Sequence, residues 1–211
     1  TDASLAVAEK LFHNDTHTSI IQLRRNFGKS AALAAGFARA CGRVIITLDA
    51  DLQDEPQEIP TLVAMLDKAD LVVGWKEVRH DPWTKTFPSH IFNSIARSLF
   101  TLHLHDLNSG LKVMRADVAH GIALYGELHR FIPVLAHIQG FRVAEKSVVH
   151  HERKFGKSKY GWKRFVRGSF DLMTMSFMLR FKNSPMHLFG TLGALTTLLV
   201  VIIGVYLSVL H

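Results

Sequence analysis

Apolar positions recur every three or four residues in "TDASLAVAEKLF", which predicts an amphipathic helix with Thr1 or Asp2 near its cap. The pattern then changes. "HTSIIQL" (17–23) predicts a strand, "GKSAALAAGFARAC" (28–41) an alanine-rich helix, and "RVIITLDA" (43–50) an apolar strand. "PQEIPTLVAMLDKA" (56–69) opens with proline and glutamate in its first turn, as helices do, and "DLVVGW" (70–75) reads as another buried strand. Strands alternating with helices predict βαβ units and a parallel sheet covered on both faces.

Residues 76–90, "KEVRHDPWTKTFPSH", are polar and broken by prolines, and a helix is predicted over roughly 91–102. "GLKVM" (110–114) and "FRVAEKSVVHH" (141–151) predict later strands, with a short helix after Pro133 between them. "ERKFGKSKYG" (152–161) is a basic, glycine-punctuated loop. In "WKRFVRGSFDLMTMSFMLRF" (162–181), aromatic and methionine positions alternate with basic ones at helical spacing, the pattern of an interfacial amphipathic helix.

Leu188–Leu210 then carries no charge over 23 residues. At about 1.5 Å per residue it is long enough to cross a hydrocarbon core of roughly 30 Å. Arg164, Arg167, Arg180 and Lys182 precede it, so the positive-inside bias places the preceding domain in the cytoplasm. The organisation expected is an α/β domain over 1–160, an interface helix over 161–183 and a transmembrane helix over 184–211. No signal peptide precedes the first helix, and the chain stops directly after the apolar run, the pattern expected of a piece cut from a longer protein.

Charge narrows the partners. The 211 residues hold 25 Lys and Arg against 18 Asp and Glu, a formal charge of +7 that favours nucleic acid, phospholipid or a phosphorylated substrate. Cys41 is the single cysteine, so no intramolecular disulfide and no Cys/His zinc spacing exist; it reads as a packing residue at a helix end.

Candidate chemistry concentrates behind the strand at 43–50. Asp49, Asp51, Asp54 and Glu55 lie together in "TLDADLQDEPQEIP", and ligands of open α/β sheets collect at the carboxyl ends of strands. At i, i+2 spacing both Asp49 and Asp51, or one of them with Gln53, can converge on one cation. All-oxygen ligation suits Mg2+ or Mn2+, which keeps waters and takes substrate phosphates as further ligands. Asp54 and Glu55 fit an acidic cap of the helix that follows. "NFGKSAALAAG" resembles a phosphate loop superficially, but position 23 is leucine where that motif needs glycine. Lys29 then either meets an anionic ligand at a helix N-terminus or faces solvent.

Asp106, Asn108 and Ser109 in "HDLNSGLKVMR" form a polar turn suited to a sugar pocket or simply to a tight turn. His103 and His105 lack a third ligand and read as structural rather than zinc-binding. In "LHRFIPVLAHIQG", His129 and Arg130 precede an apolar segment, and Arg130 suits a phosphate. Arg153, Lys154, Lys157 and Lys159 suit either a phosphate or anionic lipid headgroups.

Taken together, "RNFGKSAALAAG", "LDADLQDEPQEIP", "DLNSGLKVMR", "HRFIPVLAHIQGFRV" and "HHERKFGKSKYGWKRF" resemble, in order, the blocks of family 2 glycosyltransferases with a GT-A fold. The likeness is to the polyprenyl-phosphate group, which includes dolichol-phosphate mannosyl and undecaprenyl-phosphate sugar transferases, and it runs from Thr1 to about Arg180. It implies that Asp49, Asp51 and Gln53 hold a donor Mg2+ or Mn2+. It also implies that Arg153, Ser158, Lys159 and Tyr160 lie near the two phosphates in an acceptor-gating loop. Lys29, Asn108, Ser109 and His129 join Asp49 as candidate substrate-binding residues, and Asp51, Arg130, Arg153 and Lys159 are the candidate catalytic ones. The family's first strand, with its "IPxYNE"-like stretch, and its second membrane helix have no counterpart here.

The implied reaction transfers a hexosyl group, with inversion, from a nucleotide diphosphate sugar to a polyprenyl phosphate at the cytoplasmic membrane face. The implied partners are donor, acceptor and bilayer, with homo-oligomerisation open and nucleic acid not among them. A processive polysaccharide synthase of the same fold is the alternative, against which stands the lack of a QxxRW sequence. A non-catalytic module binding acidic lipid through residues 153–182 is the other.

Overall fold

The computed structural model describes residues 3–76, 102, 104–151, 173–174, 177 and 185–210. They fall in two compact units, divided after Lys159. Residues 91–101 of the helix expected over 91–102, most of the loop before it, His103, and the basic segment with Arg153, Ser158, Lys159 and Tyr160 lie outside the described residues; Leu102 is described and is not helical. So do the cationic positions Arg164, Arg167, Arg180 and Lys182.

In the first unit, α1 spans Ser4–Asn14 and buries none of its residues; its cap position is Ala3, which supplies no side-chain bond. The 17–23 segment is not a strand. Its β-branched residues favour a pleated surface only where a neighbouring strand offers one, and among the described residues none pairs with it. Helix α2 (Lys29–Arg39) starts behind Gly28, whose φ of 88° lies in the left-handed region that glycine tolerates. Strand β1 is Val44–Thr47. Cys41, between them, is exposed rather than packed, with Sγ donating to the Arg39 carbonyl.

The helix expected over 56–69 is divided into a 3-10 turn at Pro56–Glu58, α3 at Ile59–Ala64 and a second 3-10 turn at Met65–Asp67. Pro60 has no N–H to continue a ladder from the first turn, so the helix restarts with proline at its opening. Strand β2 (Leu71–Lys76), β3 (Lys112–Arg115), α4 (Ala116–Gly121), a 3-10 turn at Leu128–Phe131, α5 (Ile132–Ile138) and β4 (Val143–Val148) are the unit's other described elements.

The sheet order is β1-β3-β2-β4. Three strands share one direction, and β2 pairs with β4 in parallel, but β3 is inserted antiparallel between β1 and β2. The sheet is therefore mixed, where sequence alternation predicts parallel pairing throughout. The register pairs Thr47 with Lys112 and Lys112 with Val73, so the start of β3 lies beside the end of β1 and the middle of β2. Leu62, Leu66 and Ala69 pack on Val72, Leu111, Val113 and Val148 on one face. Leu71, Val73 and Met114 alternate to the other face and are fully buried there, and α5 packs on β2 and β4. Both faces are covered, as the apolar strands require.

Asp70 locks the opposite end of strands β2, β3 and β4. Its carboxylate receives the Arg142 guanidinium at 2.9 and 3.1 Å and the Arg142 backbone N–H at 2.9 Å, with Arg115 Nε 3.4 Å away. The side-chain and backbone bonds from Arg142 hold its carboxyl well down, to about 2.

The second unit contains α6, Pro185–Leu210. Within it Phe189–Leu210 has a mean hydropathy of 2.3 and none of it is buried in protein, so this one helix is long and apolar enough to cross a membrane. Two of its hydroxyls bond within the helix: Thr196 Oγ1 donates to the Leu192 and Gly193 carbonyls at 2.9 Å, and Ser208 Oγ to Gly204 O at 2.8 Å. A helix in hydrocarbon needs this, since lipid offers no partner. Of the interface helix expected over 161–183, Met173, Thr174 and Phe177 are described, and they are helical.

Candidate active site

Asp49 follows β1 by two residues, at the carboxyl end of the strand. Two neighbours define its place. Lys29, the first residue of α2, sets Nζ 2.6 Å from Asp49 Oδ1. On the other side Gly110 approaches so closely that a Cβ there would stand 2.7 Å from Asp49 Cγ and Oδ2, nearer than any real Cβ contact. Thr47 Oγ1 donates to the Gly110 carbonyl at 2.8 Å and ties the end of β1 to that turn.

A cleft opens here, lined by Lys29, Asp49, Asn108, Ser109, Lys112 and His129, with Leu33 and Ile132 as its apolar wall. Of the residues singled out in the sequence, Lys29, Asp49, Asn108, Ser109 and His129 are thus brought together. Buried Ser30 fixes His129: its Oγ accepts the His129 backbone N–H at 3.0 Å and lies 3.0 Å from Nδ1. The Asn108 backbone N–H donates to Asp106 Oδ1 at 3.0 Å, which shapes the polar turn. Arg130 is next to His129 in sequence but does not line the cleft. Its Nη2 donates to Glu127 Oε2 at 2.8 Å, a partner that a nearly buried guanidinium needs.

Asp51 and Gln53 lie in the turn beyond Asp49. Between them Leu52 takes φ 58°, a left-handed conformation that costs a branched residue about 1–2 kcal/mol and concentrates at functional sites. The turn lets Asp51 Oδ1 accept the Gln53 backbone N–H at 3.4 Å. Glu55 caps the Pro56–Glu58 turn by accepting the Gln57 N–H, as expected of an acidic cap. Asp54 is instead buried and bound to His150. Burial opposes its ionisation, yet the His150 hydrogen bond and the charges of Lys76 and Lys112 hold its carboxyl below the usual range.

No three His, Cys, Asp or Glu side chains converge on one point among the described residues, so they form no closed protein cage for a metal. An all-oxygen set of Asp49, Asp51 and Gln53 at a strand end still fits a hard cation that completes its shell with water and phosphate. His105 is occupied structurally. It stacks on Trp75 with ring centroids 4.4 Å apart, and both its backbone N–H and its Nδ1 meet the Glu145 carboxylate.

Lys112 is the site residue that sequence reading misses. It is 4% exposed, it lines the cleft, and its Nζ donates to the Ser109 carbonyl. Burial pushes the ammonium down to about 8, and the Lys29 charge adds to this, while Asp106, Asp49 and Asp54 oppose it. The signal was available: a lysine in "LKVM" has no solvated face if that strand is central, and must then point to a polar site.

The model of glycosyl transferase family 2 matches residues 1–122. A dodecaprenyl-phosphate galacturonate synthase of Rhizobium johnstonii is 39% identical over 99% of the chain. The chain spans 63% of that relative's length. Among solved structures, a mycobacterial protein superposes with TM-score 0.61 at 14% identity, over 85% of this chain and 61% of its own. The Mycobacterium tuberculosis glucosyl-3-phosphoglycerate synthase, solved with Mn2+, UDP-glucose and phosphoglyceric acid, gives 0.54 at 17% identity, over 75% of this chain and 56% of its own. The mixed sheet with covered faces is the GT-A fold, and the chain belongs to glycosyl transferase family 2.

Proposed function

We propose that the full-length protein transfers a sugar from a nucleotide diphosphate sugar to a polyprenyl phosphate at the cytoplasmic face of a membrane, inverting the anomeric carbon. One observation carries this reading. The cleft at the end of β1 sets a carboxylate, Asp49, beside an ammonium at a helix N-terminus, Lys29. A cation-bridged diphosphate needs both charges, one for the cation and one for its own oxygens. The galacturonate synthase relative supports the acceptor class and makes a uronic acid the first donor sugar to try. The neighbour solved with Mn2+ and UDP-glucose supports a divalent cation.

Mg2+ or Mn2+ held by Asp49, Asp51 and Gln53 would supply positive charge to the diphosphate leaving group. Lys29 adds a direct contact to the same anion, and buried Lys112 adds charge behind it. An acceptor phosphate oxygen forms the new bond to the anomeric carbon as the bond to the nucleotide diphosphate breaks, its electron pair leaving with the diphosphate. That oxygen is ionised near neutral pH, so no strong base is required. Arg153 and Lys159 would align the acceptor phosphate, with Ser158 and Tyr160 beside them, while Arg130, held by Glu127 away from the cleft, takes no direct part. Alignment of this kind contributes several kcal/mol.

The deciding experiment is label transfer from a panel of nucleotide sugars to a lipid-extractable product by the full-length protein, beside Asp51→Asn. No lipid-linked label from any donor removes the reading, and label in a growing polymer points to a processive synthase instead.

A further inference from the structure

The turn that follows Asp51 is fastened to the end of β4 at successive points. The His151 backbone N–H donates to Gln53 O at 2.8 Å, and Gln53 Nε2 donates back to His151 O at 3.2 Å. Next along, Asp54 and His150 form an isolated antiparallel bridge, with His150 Nδ1 3.3 Å from Asp54 Oδ1. Then His151 Nε2 lies 2.9 Å from Glu55 Oε2. The His150–Asp54 pair is the interior one: its side chains are 13% and 3% exposed, against 47% and 28% for His151 and Glu55.

This clip bears on the cation-binding segment for a chemical reason. A carboxamide is planar, with donors at one end and an acceptor at the other. Holding Gln53 Nε2 on a carbonyl fixes the plane of the carboxamide, and with it the direction of the oxygen, the atom a hard cation takes. That orientation depends on the backbone of residue 151 staying beside residue 53. A buried carboxylate deprived of its hydrogen-bond partner would draw away toward water or toward Lys76 and Lys112, the charges that already act on it.

We infer that His150 is a positioning residue for the divalent-cation site: by binding Asp54 it holds the 53–55 segment against β4 and fixes the Gln53 carboxamide. The inference rests on the cation reading given above. Outer partners of metal ligands generally change affinity by about 10- to 100-fold when lost.

The test is Mn2+ binding by the full-length protein in detergent, followed by loss of the free-ion EPR signal, without nucleotide and with excess UDP. His150→Ala should weaken Mn2+ binding by about 10-fold or more. His150→Asn, whose amide nitrogen falls near the position of Nδ1, should recover most of it. The donor KM should rise in His150→Ala while the lipid acceptor KM stays put. Unchanged Mn2+ affinity in a variant with a lowered melting temperature would make the pair merely structural and overturn the inference. Should His150→Ala not fold, near-isosteric Asp54→Asn carries the same expectation and the same overturning result. No Mn2+ uptake by the wild type in either condition would remove the cation reading itself, and this inference with it.

Discussion

Lys29 Nζ and Asp49 Oδ1 stand 2.6 Å apart, joining the first turn of α2 to the end of β1 across twenty positions of sequence. Both side chains are partly open to solvent, at 44% and 40%, so the pair is exchangeable and adds little to stability. The lysine occupies the carboxylate that a divalent cation would take. A diphosphate arriving with its cation would separate the two, leaving Asp49 to the metal and Lys29 to the phosphate.

Lys29→Met therefore separates two effects. Mn2+ affinity should hold or rise, because a competing cation is gone. The donor KM should rise by roughly tenfold or more, the loss of one hydrogen bond to a charged group. Weaker Mn2+ binding would show that Lys29 supports the cation rather than competes with it.

Gly110→Ala places a methyl 2.7 Å from the Asp49 carboxylate, which must shift. The Asp49 side chain is 40% exposed and can give way into the cleft, so the melting temperature should change little. Turnover should fall by about 100-fold, the usual cost of misplacing a site group by an ångström. Steady-state rates beside a thermal melt decide it, and near-normal turnover would free Asp49 from its proposed role.

Asp51→Asn deletes a charge and a ligand while keeping size. Most activity of the full-length enzyme should be lost with the fold intact by circular dichroism. EDTA should reproduce this in the wild type, and Mg2+ or Mn2+ should restore it. Full activity in chelator would contradict the metal assignment.

Acid stability should track Asp70. Its carboxyl is depressed from 3.8 to about 2 by Arg142. A depressed acid stabilises the fold above its unfolded pKa and loses that contribution as pH falls through the folded value. The wild type should therefore lose stability between about pH 4 and pH 2, and Asp70→Asn should flatten that part of the curve while lowering stability at neutral pH. Denaturant midpoints across this range measure both, and a wild-type slope retained in Asp70→Asn would place the acid sensitivity elsewhere.

Topology is testable through cysteine. Cys41 is exposed, so it is first replaced by serine. A new cysteine at Lys182 should then resist an impermeant thiol reagent in intact cells and react after permeabilisation, as the positive-inside bias requires. Ready labelling of intact cells would reverse the orientation.

The sequence by itself determined what depends on neighbours along the chain. Helix α2, the four strands among the described residues and α6 follow from local periodicity and from an apolar run longer than a bilayer core is thick, and the acidic turn behind β1 stood out as the place where candidate chemistry gathers. Family resemblance supplied the roles, because ordered blocks of residues mark a shared site even where spacing alone fixes no geometry. The tertiary structure decided what depends on pairing between distant segments. It inserted β3 antiparallel between β1 and β2, which no alternation pattern encodes, because strand direction is set by the path of the connections. That insertion buried Lys112 at the floor of the cleft and brought Gly110 against Asp49. The tertiary structure also left 17–23 without a strand partner among the described residues, and it paired His150 with Asp54 across 96 positions. A lone apolar stretch or a lone histidine says nothing of the surface it will meet, and only the closed sheet supplies that surface.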